Sequence, residues 1–392
     1  MDLHVFAIDS PYNKAFVEFI NRNFNTAPHF FIVMREKAAV KFTLPDQKNI
    51  IYLPASDVSQ YRPFYELFNQ ARRIFAHSLF EPALSVYAAY PGRKKIMVIP
   101  WGSDLAPFIF RSEADRLDGP TRRFFHGAAP PMAAVTFDQM AAEWETWRKM
   151  NLVMSKTSHI LHFINFSQQV LNRVFKQNIP TLAFQYFNPV NFKLLERDDL
   201  PANPDYHFKK RFNRVIQLNH SGNPANNHIS LIEKLAEAGR DDFCVVAPLS
   251  YGPPKAIEAI AKYGREKLGE RFFPILEFLP PDQYAALMRQ LDALLVNTVY
   301  SGAMANMTAM LHLGRKVLLS SRNISTHAAF KAYDITLPPI NPDDRSDAWI
   351  ESIFEAPDEE ASEHNSRQMR AMVGEERLAA MYASLLEKTE PA

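Results

Sequence analysis

From Val215 to Leu319 the chain repeats one unit, a short apolar run followed by an amphipathic helical pattern. Strand candidates Val215–Asn219, Phe243–Ala247, Pro274–Phe278, Ala293–Asn297 and Lys316–Leu319 alternate with helical stretches near 226–238, 253–268, 281–290 and 303–313. Short, continuously apolar strands joined through helices are buried on both faces and connect in parallel, so this rhythm predicts a doubly wound α/β sheet. Ligands of such sheets bind beyond the carboxyl ends of the strands. The loops that begin at Asn219, Pro248, Leu279, Asn297 and Ser320 are therefore the ones to search for chemistry.

The first half alternates in the same way with more insertions. Leu3–Ile8, Phe30–Met34, Asn49–Leu53, Ile74–Ala76, Ile96–Ile99, Leu152–Met154 and Thr181–Phe184 read as strands, between helices near 12–22, 61–73, 81–89, 137–149 and 165–176. A chain of 392 residues exceeds one ordinary core, so two domains are expected. The predicted architecture is α/β, two Rossmann-like doubly wound domains facing across a cleft. Residues 1–187 form the first domain and 215–340 the second. The polar stretch 188–214, with Pro189, Pro201 and Pro204, is read as the linker, and 341–392 as a helical segment that packs back on the first domain.

No apolar run approaches the roughly 20 residues of a membrane span, and the first residues lack a basic region followed by an apolar core, so the cytoplasm is the expected location. The single cysteine, Cys244, lies inside the apolar run FCVVA and reads as a buried thiol. Residues 1–185 carry 21 Lys and Arg against 15 Asp and Glu, and the remainder 23 against 28, so the first half is the basic one. Its clusters Arg93-Lys94-Lys95 and Arg122-Arg123, beside Phe108-Ile109-Phe110 and Phe124-Phe125, suit an anionic membrane surface or equally an ordinary solvated face with buried aromatics. No basic stripe with interleaved aromatics runs through the chain, and nucleic acid is not an expected partner.

The segment VIQLNHSGNPANNH, Val215 to His228, ends a strand in a small polar loop before a helix. Unpaired N–H groups at that helix start suit a phosphate, and the same residue types also cap helices with no ligand. Two further turns read alike: Pro248-Leu249-Ser250-Tyr251-Gly252, and Tyr300-Ser301-Gly302 before a helix carrying Asn306. In the first half, His77 follows one strand and Trp101-Gly102-Ser103-Asp104 another. If those strands are parallel, His77 and Asp104 share one rim, where they serve as sugar binder and general base, or as a loop histidine and an N-cap. The chain has no Walker loop, no complete GxGxxG after the first strand, no GxSxG and no HExxH. The acidic pairs Asp198-Asp199, Asp241-Asp242 and Asp343-Asp344 fall in linker, helix end and turn, so neither a metal nor a resident cofactor is expected.

The segments SGNPANNHISLIEKL, APLSYGPP, DQYAALMRQLDALL and IPWGSDL together resemble the bacterial TDP-N-acetylfucosamine:lipid II N-acetylfucosaminyltransferase family of enterobacterial common antigen synthesis. The similarity is firm over about 215–320 and reduces to islands at the His77 loop and at Trp101–Asp104. It implies a GT-B glycosyltransferase with a nucleotide-sugar donor on the second domain and a lipid-linked acceptor at the membrane face. Ser221, Gly222, Asn223, Asn227 and His228 match the family's donor loop, Pro248, Tyr251 and Gly252 its second one, and His77, Trp101, Gly102 and Asp104 its acceptor side. The chain departs from the family's Gly-rich turn at Tyr300–Asn306, and the insert from Ala106 to Phe137 has no counterpart there.

The reading from sequence is a metal-independent, hexosyl-type bacterial transferase acting in cell-envelope polysaccharide biosynthesis. A TDP- or UDP-linked sugar, amino-deoxy sugars included, is the co-substrate, and a lipid-linked or surface polysaccharide the acceptor. Peripheral attachment to the inner face of the cytoplasmic membrane accompanies it. Asp104 is the first choice for general base and His77 the sugar binder or alternate base. A nucleotide-sugar 2-epimerase and a non-catalytic nucleotide-sugar-binding scaffold fit the same architecture.

Overall fold

A computed structural model describes the chain except residues 26–27, 43–46, 94, 103, 111, 128–136, 163–165, 202–205, 301, 343–347, 357 and 391–392. Lys94, Ser103, Ser301 and the pair Asp343-Asp344 thus lie outside the described residues. Two compact units emerge: residues 1–109, 134–189 and 375–392 make the first, and residues 110–133 and 190–374 the second.

In the first unit, strands β1 (Asp2–Phe6), β2 (His29–Val33), β3 (Ile50–Tyr52), β4 (Arg73–His77), β5 (Ile96–Ile99), β6 (Thr157–Leu161) and β7 (Thr181–Leu182) form one parallel sheet in the order β3-β2-β1-β4-β5-β6-β7. Side chains alternate across it with period two. Leu3, Val5, Ile74, Ala76 and Val98 pack with Phe64, Phe68 and Tyr87 on one face, while Phe6, Phe31, Phe75 and Ile99 meet Phe16 and Ile20 on the other. The helix Pro11–Asn23 supplies Phe16 and Ile20, and it starts where Ser10 caps the Asn13 N–H and Pro11 fixes the first turn.

The second unit holds β8 (Arg214–Leu218), β9 (Phe243–Pro248), β10 (Phe272–Ile275), β11 (Ala293–Val296), β12 (Lys316–Ser320) and β13 (Pro339–Ile340), parallel in the order β10-β9-β8-β11-β12-β13. Both sheets run outward from their first strand in two directions, so each has a switch point, at β1/β4 and at β8/β11.

Several sequence expectations change. Leu152–Met154 belongs to the helix Phe137–Ser155, whose inner face buries Val153 and Met154; the strand follows it at Thr157–Leu161. The strand expected at Pro274–Phe278 starts two residues earlier, and β13 adds a strand beyond the five expected. Residues 110–133, counted with the first domain by chain order, belong to the second unit, as does most of the stretch read as linker. The segment 341–392 divides at Gly374. Its last helix, Glu375–Lys388, buries Leu378, Tyr382 and Leu385 in the first unit, each worth roughly 2 kcal/mol of transfer free energy. The buried guanidinium of Arg73 pins that helix, bonding Asp2 at 2.9 Å and the carbonyl of Leu386. Among the described residues, no helix is long and apolar enough to cross a membrane.

Candidate functional site

In the first unit, β4 and β5 are neighbours with His77 opposite Ile99, so His77 and the Trp101–Asp104 loop share one edge. Asp104 is buried, and its carboxylate accepts from the Leu79 N–H at 2.9 Å and the Trp101 N–H at 3.0 Å. Burial raises its pKa to about 6 against the pull of those backbone donors. This is a clasp that ties the loop after β4 to the loop after β5. Gly102 turns that clasped loop with φ +87°.

His77 is buried too, and both of its ring nitrogens are taken, Nε2 by His4 at 2.9 Å and Nδ1 by the Tyr186 hydroxyl at 2.6 Å. Burial holds it well below the ordinary 6.5. The expected general base and sugar binder thus both have protein partners. What the edge does present is aromatic: Trp101 is half-buried, edge-on to Tyr12 and Tyr186, and its indole N–H donates to the Tyr186 hydroxyl at 3.0 Å. Beside it Ser78 has φ +98°, a strained value for a residue with a Cβ, and its buried hydroxyl lacks a partner.

In the second unit the switch point is built from asparagines. Asn219, with φ +50°, continues β8 by donating its N–H to Leu295 O and accepting the Asn297 N–H on Oδ1, both at 2.8 Å. Asn227, also left-handed at φ +55°, does not cap the helix His228–Glu237 that it precedes; its amide donates to the carbonyls of Asn297 and Arg116. Its Oδ1 accepts the Asp118 N–H at 2.9 Å. The Asp118 carboxylate, from the insert, in turn accepts from Ser230 Oγ at 2.5 Å, Asn297 Nδ2 at 2.8 Å and the Thr121 N–H at 3.0 Å. The Asp118 carboxylate thus ties the insert to Ser230 and Asn297 beside the start of this helix.

The residues expected to hold the donor sort accordingly. Ser221 is buried and bonded to Asn226 Nδ2, and Asn223 caps a short turn through the Ala225 N–H. Gly222 donates to Tyr251 O at 2.8 Å, and a Cβ on Gly252, at φ +135°, would lie 2.8 Å from the Gly222 carbonyl carbon. These glycines let two loops pack on each other. Pro248 is the buried last residue of β9 and Ser250 is half-buried. Asn306 points at the Tyr284 hydroxyl, 2.9 Å away, and Tyr300 is buried against Phe110. His228 is buried with both ring nitrogens unpartnered, and burial first, then His220, lowers it to about 3.

The open part of this edge is narrower. His220 is half-buried with Nδ1 unpartnered, and a Cβ on Gly302 would sit 3.2 Å from its ring. Ala303, at φ +55°, then leads into the helix Met304–His312. Tyr251 and Phe278, both exposed, stack with centroids 5.7 Å apart near the ends of β9 and β10. Sequence reasoning missed His220 as a site residue, and also Phe278 and Asp118. The alternation Asp2-His4-Phe6 and Arg73-Phe75-His77 was a legible signal of polar groups on one sheet face.

The aromatics of the insert also have protein partners. Phe125 packs on the second unit's core, Phe124 meets Tyr263 at 4.9 Å, and Phe108 and Ile109 pack on the first unit's core.

No protein-family model matches the chain, and no curated protein sequence matches it. Solved structures do. The Anabaena protein HepE in complex with UDP and glucose superposes with a TM-score of 0.67 at 12% identity over 99% of each chain. Sucrose-phosphate synthase from Thermosynechococcus elongatus gives 0.66 at 10% identity, covering 99% of this chain and 98% of that one. A putative UDP-N-acetylglucosamine 2-epimerase from Listeria monocytogenes gives 0.56 at 13%, covering 99% and 95%. The fold is the two-domain Rossmann-like α/β fold of GT-B proteins.

Proposed function

We propose that the chain is a glycosyltransferase that moves a sugar from a nucleoside diphosphate to a hydroxyl acceptor. The carrying observation is the β8/β11 switch point, where His220, with Nδ1 unpartnered, meets Gly302 before the helix Met304–His312. A diphosphate placed against the His220 ring before this helix would partner the open Nδ1, and the His220 ring and the helix dipole would stabilise the charge that develops as the glycosidic bond breaks. The exposed Tyr251/Phe278 pair offers a stacking face for the nucleobase. HepE, of the same fold, is a complex with UDP and glucose, which supports a uridine or thymidine diphosphate donor.

The sequence resemblance supports an amino-deoxy sugar and a lipid-linked or surface-polysaccharide acceptor. A lipid-facing site is supported by the exposed Phe137, Met140, Trp144 and Trp147 on one helix rather than by the insert. With Asp104 clasped and His77 bonded twice, acceptor activation falls to the donor's own leaving phosphate, a metal-free route.

Purified protein incubated with UDP- and TDP-sugars and lipid-linked acceptors, read by mass spectrometry, tests this. Transfer is expected; nucleotide bound without any transfer would leave a scaffold. The Listeria neighbour makes an epimerase the second reading. Epimerised donor formed with no acceptor present would replace the transferase assignment.

A further inference from the structure

The first sheet carries a polar row through an aromatic face. Along β2, β1 and β4, His29, Asp2 and Arg73 lie opposite one another, then Phe31, His4 and Phe75, then Val33, Phe6 and His77. His4 is sandwiched between Phe31 and Phe75, with centroids at 5.0 and 4.5 Å. Its Nδ1 meets His77 Nε2 at 2.9 Å, and its Nε2 meets the Tyr382 hydroxyl at 3.1 Å. His77 Nδ1 meets the Tyr186 hydroxyl at 2.6 Å, and that hydroxyl accepts the Trp101 indole N–H.

Two directions of donation satisfy this row, because the Tyr186 oxygen that accepts the indole N–H can also donate to His77 or accept from it. In one, Tyr186 donates to His77 Nδ1, His77 Nε2 to His4 and His4 Nε2 to Tyr382; in the other, Tyr382 donates to His4 Nε2, His4 Nδ1 to His77 and His77 Nδ1 to Tyr186. Each link needs a neutral imidazole, and burial keeps His77 and His4 neutral well below the usual range.

Resting on the transferase reading, we propose that Tyr186, His77 and His4 are positioning residues that hold the Trp101 indole as the platform on which the acceptor's sugar ring stacks, with Tyr382 of the last helix anchoring the far end. A saccharide offers its C–H face to an indole while its hydroxyls stay solvated, and Trp101 with Tyr12 forms the half-buried aromatic group at the switch-point edge. The polar groups facing the row are few. Tyr186 and Tyr382 cover its ends, His29 lies 3.4 Å from His4, the Asp2–Arg73 pair sits beyond His29, and Asp104 lies under Trp101.

The experiment uses the full chain with its four tryptophans labelled with 15N at the indole, Trp101 being the resonance lost in Trp101→Phe. Tyr186→Phe keeps the ring and deletes the bridging hydroxyl. Exchange of the Trp101 indole proton with water should then speed up about tenfold, and about tenfold more methyl N-acetyl-β-glucosaminide should be needed to shift that resonance. In the wild type the resonance should follow one inflection below pH 6.5, and His77→Gln should abolish it. Tyr382→Phe, remote from Trp101, should give the same changes at smaller size, which keeps the test open if His77→Gln does not fold. Unchanged exchange in both tyrosine variants overturns the relay, and a Trp101 resonance indifferent to the sugar overturns the platform. A wild type that titrates and binds as described but transfers no sugar refutes the transferase reading while upholding the relay.

Discussion

The two switch-point edges solve opposite problems. At β1/β4 Asp104 meets two backbone donors, His77 two neighbours, and Trp101 is held through its indole N–H, while the buried Ser78 hydroxyl lacks a partner. At β8/β11 more polar atoms lack partners, on His220, His228 and Asn219. A buried polar group without a partner costs about 1–3 kcal/mol, so open donors grouped at one strand edge indicate a ligand that completes them. The β1/β4 edge instead offers a fixed aromatic surface at Trp101. Similar residue types at the two edges thus have different chemistry.

The largest break in this contrast should come from Asp118→Ala, which strips three donors of their acceptor and frees the insert from the asparagine clamp. A loss of about 3 kcal/mol is expected in urea unfolding. Asp118→Asn, keeping the shape and one oxygen, should recover part of it. Next, Gly252→Ala forces a Cβ against the Gly222 backbone at a positive φ, and should cost about 2 kcal/mol and weaken UDP binding.

Acid should act on the open edge. His228 sits at about 3 and His220 at about 4 in the folded chain, both lowered first by burial. Above pH 6.5 both are neutral folded or unfolded. As pH falls below that, the unfolded chain takes up protons the folded one refuses, so stability drops by up to about 1.4 kcal/mol per pH unit for the fully buried His228. Half-exposed His220 should contribute less. Unfolding midpoints at pH 7.5 and 5, with His228→Gln flattening the difference, check this. The smallest expected effect on stability is His220→Ala, which should raise the UDP dissociation constant about tenfold by calorimetry and barely move the melting temperature. Unchanged UDP affinity in that variant would remove His220 from the donor site.

Where local pattern carried the information, the fold was legible. β8, β9, β11 and β12 are short apolar runs between turn residues and lie within a residue or two of their expected ends. Leu152-Val153-Met154 misled because a three-residue apolar run fits a helix face and a buried strand equally well. At the site, sequence located the loops but not the contacts that their residues make. Gly222 and Gly252 serve loop contact, and Asp118 lies 109 positions from Asn227, its partner.

By itself, the sequence determined the two parallel sheets and the loops at their carboxyl edges, because period, turn chemistry and helix caps act over a few residues. Only the tertiary structure decided which polar groups there are spent and which are open. That depends on which distant side chain reaches a given donor or acceptor first, and a carboxylate brought by an insert, or a histidine row formed across three strands, leaves no local mark along the chain.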